Sequence, residues 1–352
     1  MSASTTRERA DNPVLPFTRK YIGSKRQLRE RIAEQICAIA GPPRSFLDGF
    51  FGTGAVSLAM ASHGAARIIA VDALRSNCVI LRGFFQRSAR ITDLVERLNA
   101  LSPSSGYITE AYAGTYFTAA NCGRMDAIRS EIERLSANRE ITQPEHDALL
   151  ASFLLAADRV ANTLGQYDAF LKNIAGESMV KGHHLVDERV KEPFVLRALE
   201  PLTGSNIEVL EGDMVALAST LPVEVAYFDP PYNQRQYCDN YHVLENLARW
   251  EKPELFGKTR KFDRAGLRSP FSRKQGAAGA LRALVDAVRA SHVFLSYSSE
   301  GILDREQIST ILSSRGRTSV TEMPYPVFGN GAGVSTRRTV VEYLFHVAVE
   351  GA

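Results

Sequence analysis

The sequence predicts an α/β fold whose sheet is split in the chain by a helical insertion, and three observations predict it. Ser45 to Asp72 reads as strand, glycine-rich loop, helix and strand, one right-handed βαβ unit. From about Leu74 to Pro201 the short apolar β-runs vanish and helical periodicity takes over. Strand signals then resume at Ile207–Leu210, Val223–Phe228, Val293–Tyr297 and Thr339–Val347.

The elements follow in order. Ser24 and Gln27 form an S-x-x-Q capping signal ahead of Leu28, Ile32, Ile36 and Ile39, and Gly41-Pro42-Pro43 stops the pattern, giving a first helix of about four turns. Phe46-Leu47-Asp48 runs into the loop Gly49 to Gly54, then into a helix from Ala55 and a strand ending at Asp72. Within the insertion Asp126 to Leu135 is helical by its spacing. Thr142 and Glu145 make a second capping box ahead of Leu149, Leu150, Phe153 and Leu154, with Gly165 expected at that helix's end. Residues 1–75 and 206–352 are therefore expected to form one domain and residues 76–205 a helical insertion within it.

Composition bounds the class. At 352 residues and 45% apolar content the chain can bury a full α/β core and a smaller second domain. A net charge of +3, from 42 Lys+Arg against 39 Asp+Glu, is too balanced to indicate a polyanionic partner, so any basic surface must be local. Cys37, Cys78, Cys122 and Cys238 lie far apart, which supports neither a disulfide framework nor a zinc site. No metal is expected. Met1 to Asn12 has no apolar segment and no later run approaches the roughly 20 apolar residues of a membrane helix. A cytoplasmic protein, not bound to membrane, is the expectation.

Two carboxylates frame the glycine loop. In Asp48-Gly-Phe-Phe-Gly-Thr-Gly54, Gly52 and Gly54 lack the Cβ that would keep a ligand from the backbone. Taken alone the loop is equally a tight structural turn. It has neither the GxGxxG spacing of a pyrophosphate site nor the Lys-Ser/Thr of a P-loop. Asp72, at the end of the next strand, can accept two hydrogen bonds from ribose hydroxyls, with a strand-end turn residue as the alternative. With no phosphate signature, the nucleoside expected is S-adenosylmethionine.

Asp229-Pro230-Pro231-Tyr232 follows an apolar strand, at the edge where open α/β sheets place their chemistry. Two prolines fix the backbone and remove two N–H donors, leaving a segment rich in acceptors. An amino group there can donate one hydrogen to Asp229 and the other to the Pro230 carbonyl. The exocyclic nitrogen of adenine is a poor nucleophile because its lone pair is delocalised. Held by two acceptors it becomes more tetrahedral and aims that lone pair at a sulfonium methyl. Tyr232 is expected to stack on the base. The bland alternative is a Pro-Pro turn after a buried strand.

With these residues in hand, the sequence resembles the Dam-like, or D12, class of N6-adenine DNA methyltransferases. Lys20-Tyr-Ile-Gly-Ser-Lys25 looks like that family's N-terminal cofactor motif, and Asp48 to Gly54, including Phe50, its motif I. Asp72 resembles its motif II acid and Asp229 to Tyr232 its motif IV. Glu211-Gly212-Asp213 looks like the segment that holds the cofactor adenine, and Leu295-Ser-Tyr-Ser-Ser299 a later sheet motif. The likeness covers about residues 19–75 and 206–347. It implies a Rossmann-like S-adenosylmethionine-dependent methyltransferase sheet with a target-recognition domain as the insertion, and Tyr21, Lys25, Asp72 and Asp213 at the cofactor. Asn162 to Lys172 and Asn233 to Tyr237 look most like restriction–modification members, which implies double-stranded DNA as substrate and makes a cognate endonuclease a candidate partner; action as a monomer is the expectation.

For DNA contact, Lys258 to Lys274 carries Lys258, Arg260, Lys261, Arg264, Arg268, Arg273 and Lys274, with Lys252 flanking and Phe262 and Phe271 placed to wedge or stack. A solvated loop is the competing reading. Lys20, Tyr167, Lys172, His183, His184 and Arg337-Arg338 are further candidates. Two other functions share these residues: an RNA base N-methyltransferase, and a DNA-binding module without catalysis.

Overall fold

A computed structural model describes Pro16 and residues 21–171, 188–202, 206–328 and 337–350. Its centre is one sheet of strands β1 (Phe46–Asp48), β2 (Ile68–Asp72), β3 (Ile207–Glu211), β4 (Val223–Phe228), β5 (Ala290–Ser298), β6 (Gly316–Phe328) and β7 (Arg337–Val349). The order is β3-β2-β1-β4-β5-β7-β6. The first five are parallel, with Phe46 opposite Ile68 and Val225, and β7 runs antiparallel between β5 and β6. The chain leaves β1 toward β2 on one side and returns as β4 on the other, so the crevice at the carboxyl ends of β1 and β4 is the switch point of the sheet.

Side-chain alternation sorts the sheet into two apolar faces. On β4, Ala226 and Phe228 join Leu47, Val293 and Phe345 under the helices Ala277–Ala287 and Arg305–Leu312. Val225 and Tyr227 join Phe46, Ile68 and Phe294 under Arg29–Ala40 and Ala55–Ser62. The α/β reading and the strands β1 to β5 and β7 stand where the patterns put them. The edge strand β6 does not follow from the sequence, because Pro324 and Pro326 break a strand pattern; they are tolerated there because an edge strand has one unpaired side.

The helical segment has its own core, built from Arg75–Gly83, Ile91–Asn99, Tyr107–Tyr112, Ala119–Ala137 and Gln143–Val160. That core also takes in Cys238, Tyr241, Val243, Leu244 and Leu247, from residues after the Asp-Pro-Pro-Tyr segment. Thr142 and Glu145 form the expected capping box. Two other signals differ. Ser24 accepts from Arg26 N and caps a short 3-10 turn, Lys25–Gln27, while the helix proper starts at Arg29. The helix begun at Gln143 ends at Val160, before Gly165, because Ala161 already turns to extended backbone.

Gly83 lets Arg75–Gly83 lie directly on Gln143–Val160, since a Cβ there would press on Ala151 and come to 2.9 Å from the Asp147 carbonyl. Gly83→Ala is expected to destabilise the fold by about 2 kcal/mol despite alanine's better helix propensity, read as a lower urea midpoint at unchanged slope.

Candidate active site

The site is built at the switch point. Asp48 ends β1, and the loop after it turns through Gly52 at φ +54° and Gly54 at φ +75°, left-handed values that favour glycine. A Cβ on Gly52 would also stand 3.0 Å from the ring of Tyr21. Asp72, at the end of β2, accepts from Gly52 N at 2.9 Å through Oδ2 and from Leu74 N at 2.8 Å through Oδ1. It thus braces the glycine loop, and its side chain also lines the cavity. Burial raises its carboxyl to about 6, against those backbone hydrogen bonds and one from Asn77. Asp48 is buried outright. Its Oδ2 accepts from Ser57 Oγ at 2.7 Å, while Oδ1 has no partner among the described residues. Burial pushes this carboxyl up to about 7. Asp213 caps the turn after β3, accepting from Val215 N at 2.9 Å.

Asp229 follows β4 directly. Its Oδ1 receives the Lys25 ammonium at 2.7 Å, and its Oδ2 has no hydrogen bond among the described residues. Burial raises Asp229 to about 7, against the lowering effect of Lys25 and with a further push from Glu342. Lys25 is held protonated, because the carboxylates of Asp229 and Glu342 outweigh its own burial. So Lys25, expected at the cofactor, spends its charge on Asp229 although its side chain also lines the cavity. Tyr232 packs edge-on to Tyr297, with centroids 6.1 Å apart, and lies 5.4 Å from the ammonium. Across the mouth, Tyr21 stacks on Tyr241 at 4.5 Å and approaches Tyr237 at 5.4 Å.

Together these groups enclose a cavity of about 1080 Å³ including its open mouth, reached by Tyr21, Gly52, Asp72, Asp213, Asp229 and Phe271 among others. A glycine cradle, a ribose-level carboxylate at Asp72 and a second at Asp213 fit a nucleoside. An acceptor at Asp229, on the same cavity, fits a donated amine.

Comparison with known proteins gives the same answer. The D12 class N6 adenine-specific DNA methyltransferase family matches residues 21–311. The chain belongs to that family. It is 32% identical over 323 residues to the type II methyltransferase M.NlaIII of Neisseria lactamica, across 88% of this chain and 92% of the relative. It is 29% identical to the modification methylase StsI of Streptococcus sanguinis, across 93% of this chain and 51% of the relative, so the chain spans about half of that protein. It is also 29% identical to the type II methyltransferase M.CviAII of Paramecium bursaria Chlorella virus 1, across 94% and 98%. By family the chain is a DNA adenine methyltransferase, and S-adenosylmethionine is the methyl donor that goes with this class of enzyme.

Against that identity, the basic segment divides. Arg264 is buried and its Nε pairs with Asp239 Oδ1 at 2.8 Å, while its guanidinium donates to the Phe262 carbonyl; it is a structural residue and cannot reach phosphate. Lys261 pairs with Asp168 at 3.0 Å, and Arg268 leans on Asp239 at 3.5 Å from the cavity rim. Arg260, Arg273 and Lys274 are exposed and make no ion pair among the described residues. Phe262 and Phe271 are buried, so neither can wedge into DNA; Phe271 instead packs edge-on to Phe50 at 5.3 Å. Tyr167 is buried too, donating to Asp158 at 2.9 Å, which removes it as a base reader. Lys20, Lys172, His183 and His184 lie outside the described residues, and of Arg337-Arg338 only the backbone at the start of β7 is described.

Three groups at the site carry no local sequence signal. Glu342 sits on β7, far along the chain from Lys25. Glu245, buried in the helix His242–Arg249, accepts from Arg75 N and Ser76 N at 3.0 Å and so caps the helix that follows Asp72. Tyr241 accepts from Ile22 N at 2.7 Å. The Tyr21 and Tyr237 spacing around the motifs is the nearest thing to a hint.

Asp48 gives a test with a definite sign. Its folded pKa of about 7 exceeds the ordinary 3.8, so the stabilisation it brings is complete below about pH 4 and lost as pH rises through 7. In ligand-free protein, the melting temperature of Asp48→Asn relative to wild type is expected to rise by about 3 °C between pH 5 and pH 8.

Proposed function

We propose that this chain transfers a methyl group from S-adenosylmethionine to N6 of an adenine flipped out of double-stranded DNA, at a specific site, as the modification partner of a restriction endonuclease. The observation that carries it is the second oxygen of Asp229, without a hydrogen-bond partner among the described residues, on a half-buried side chain that lines the glycine-loop cavity. S-adenosylmethionine, when bound, supplies an electrophilic methyl on a sulfonium.

The protein's own groups do the rest. Gly52 and Gly54 let the loop close on the ligand, Asp72 and Asp213 take ribose and adenine donors, and Tyr21 and Phe50 wall the pocket. Asp229 and the Pro230 carbonyl accept the two amine hydrogens, which localises the lone pair on nitrogen and stabilises the positive charge that develops there. Asp229, with a carboxyl near 7, can then hold the proton that the methylated nitrogen must shed. Tyr232 offers a face to the base. Residues 76–205 read the target, and Arg260, Arg268, Arg273 and Lys274 follow the phosphates. Action in the cytoplasm and as a monomer belongs to the same reading; no helix among the described residues is long and apolar enough to cross a membrane.

Labelled methyl from the cofactor is expected on adenine N6 in duplex DNA in preference to structured RNA; label on RNA alone overturns the reading. Asp229→Ala is expected to lower kcat at least about a thousandfold with cofactor binding retained. Replacing Arg273 and Lys274 by Ala is expected to reduce the slope of log affinity against log salt by about two, with the melting temperature unchanged. Arg264→Ala should instead lower the melting temperature.

A further inference from the structure

The Lys25 ammonium has three acceptors around it: Asp229 Oδ1 at 2.7 Å, Glu342 Oε1 at 3.2 Å and the Gly23 carbonyl at 3.3 Å. Asp229 and Gly23 accept hydrogen bonds from it, and Glu342 forms an ion pair with the same nitrogen. Glu342 is only 1% exposed, and its Oε1 also accepts from the Ser296 hydroxyl at 2.8 Å. Register fixes it there, since Glu342 pairs with Ser298 of β5, and the next two residues along β5 lead to Ser296. Burying a carboxylate costs several kcal/mol unless something repays it, and Glu342 lies outside the glycine loop and the Asp-Pro-Pro-Tyr segment.

We propose that Glu342 is a positioning residue for methyl transfer: through Lys25 it fixes the Asp229 carboxylate with Oδ1 engaged and Oδ2 left for the target amine, while its charge offsets that of the lysine. The inference rests on the adenine reading above. Two demands explain the arrangement. A carboxylate free to rotate would present either oxygen, so one must be pinned. A cation alone at 2.7 Å would pin it but would also weaken it as an acceptor and as a holder of the departing proton. A second carboxylate on the far side of the cation keeps the pin and restores the basicity. The other titratable groups facing Asp229 are the tyrosines: Tyr227 from β4, Tyr232, Tyr237 from the turn that follows and Tyr325 from β6, all held neutral by burial. Asp48 acts on it from under the glycine loop. Among the described residues, Lys25 and Glu342 are thus the two opposed charges that set it.

The test compares the full chain as wild type, Glu342→Gln, Lys25→Met and the double variant. In ligand-free protein, NMR titration of isotope-labelled aspartate carboxyls, with Asp229 assigned through Asp229→Asn, is expected to show its midpoint lowered by about one pH unit in Glu342→Gln. Lys25→Met should raise it, and the double variant should return toward wild type. In turnover, Glu342→Gln is expected to lower kcat about tenfold with KM for the cofactor unchanged, and to move the acid limb of kcat to lower pH. An Asp229 midpoint and acid limb unmoved by Glu342→Gln overturn the proposal, as does an undiminished kcat. Should Glu342→Gln fail to melt cooperatively, the double variant is compared with Lys25→Met: a lower midpoint in the double variant supports the proposal and an identical one overturns it. Wild-type protein that makes no N6-methyladenine sinks the adenine reading separately, because the ligand-free titration does not depend on turnover.

Discussion

The pairing of one buried ammonium with a buried and a half-buried carboxylate ties together stretches of chain that are some hundreds of residues apart. Lys25 comes from the turn before the first helix, Asp229 from the end of β4 and Glu342 from the middle of β7. Lys25 holds the group together, since removing it leaves two like charges with no cation between them. The sheet order makes this achievable: β4, β5 and β7 lie side by side, and the turn at Lys25 lines the crevice at the carboxyl ends of β1 and β4.

A second network does the same for the cofactor side. Asp72 holds the glycine loop through Gly52 N and the following helix through Leu74 N. Glu245 caps that helix from the opposite direction, and Arg249 binds both Glu245 and Glu211 at the end of β3. The helix His242–Arg249 follows the Asp-Pro-Pro-Tyr segment by only a few residues. The chain that presents the acceptors to the amine is therefore also the chain that steadies the loop at the cofactor, and the two half-sites are mechanically one.

Much of the fold is legible in the sequence because its signals are local. Val223 to Phe228 is apolar but for Glu224, with period-two sorting between two faces, and Thr142-Gln-Pro-Glu145 satisfies its own backbone donors. The edge strand β6 is not legible, because its prolines argue against pairing that only a one-sided neighbour permits. The segment 258–274 misleads for a similar reason. Its basic residues look alike in sequence, yet Asp239, from a different element, draws Arg264 inward and gathers Lys261 and Arg268.

What the sequence by itself determined is the chemistry: a glycine turn between two carboxylates, and an acceptor-rich Asp-Pro-Pro-Tyr after a strand. These groups work through residues that are adjacent in the chain, so their spacing is the signal. The tertiary structure alone decided which charges face one another. Lys25 lies against Asp229, Glu342 stands behind it, and Arg264 is consumed in the interior. The reason is that an ion pair depends on separation in space, and strand order and register, which bring Glu342 to within 3.2 Å of Lys25, leave no mark on the residues they join.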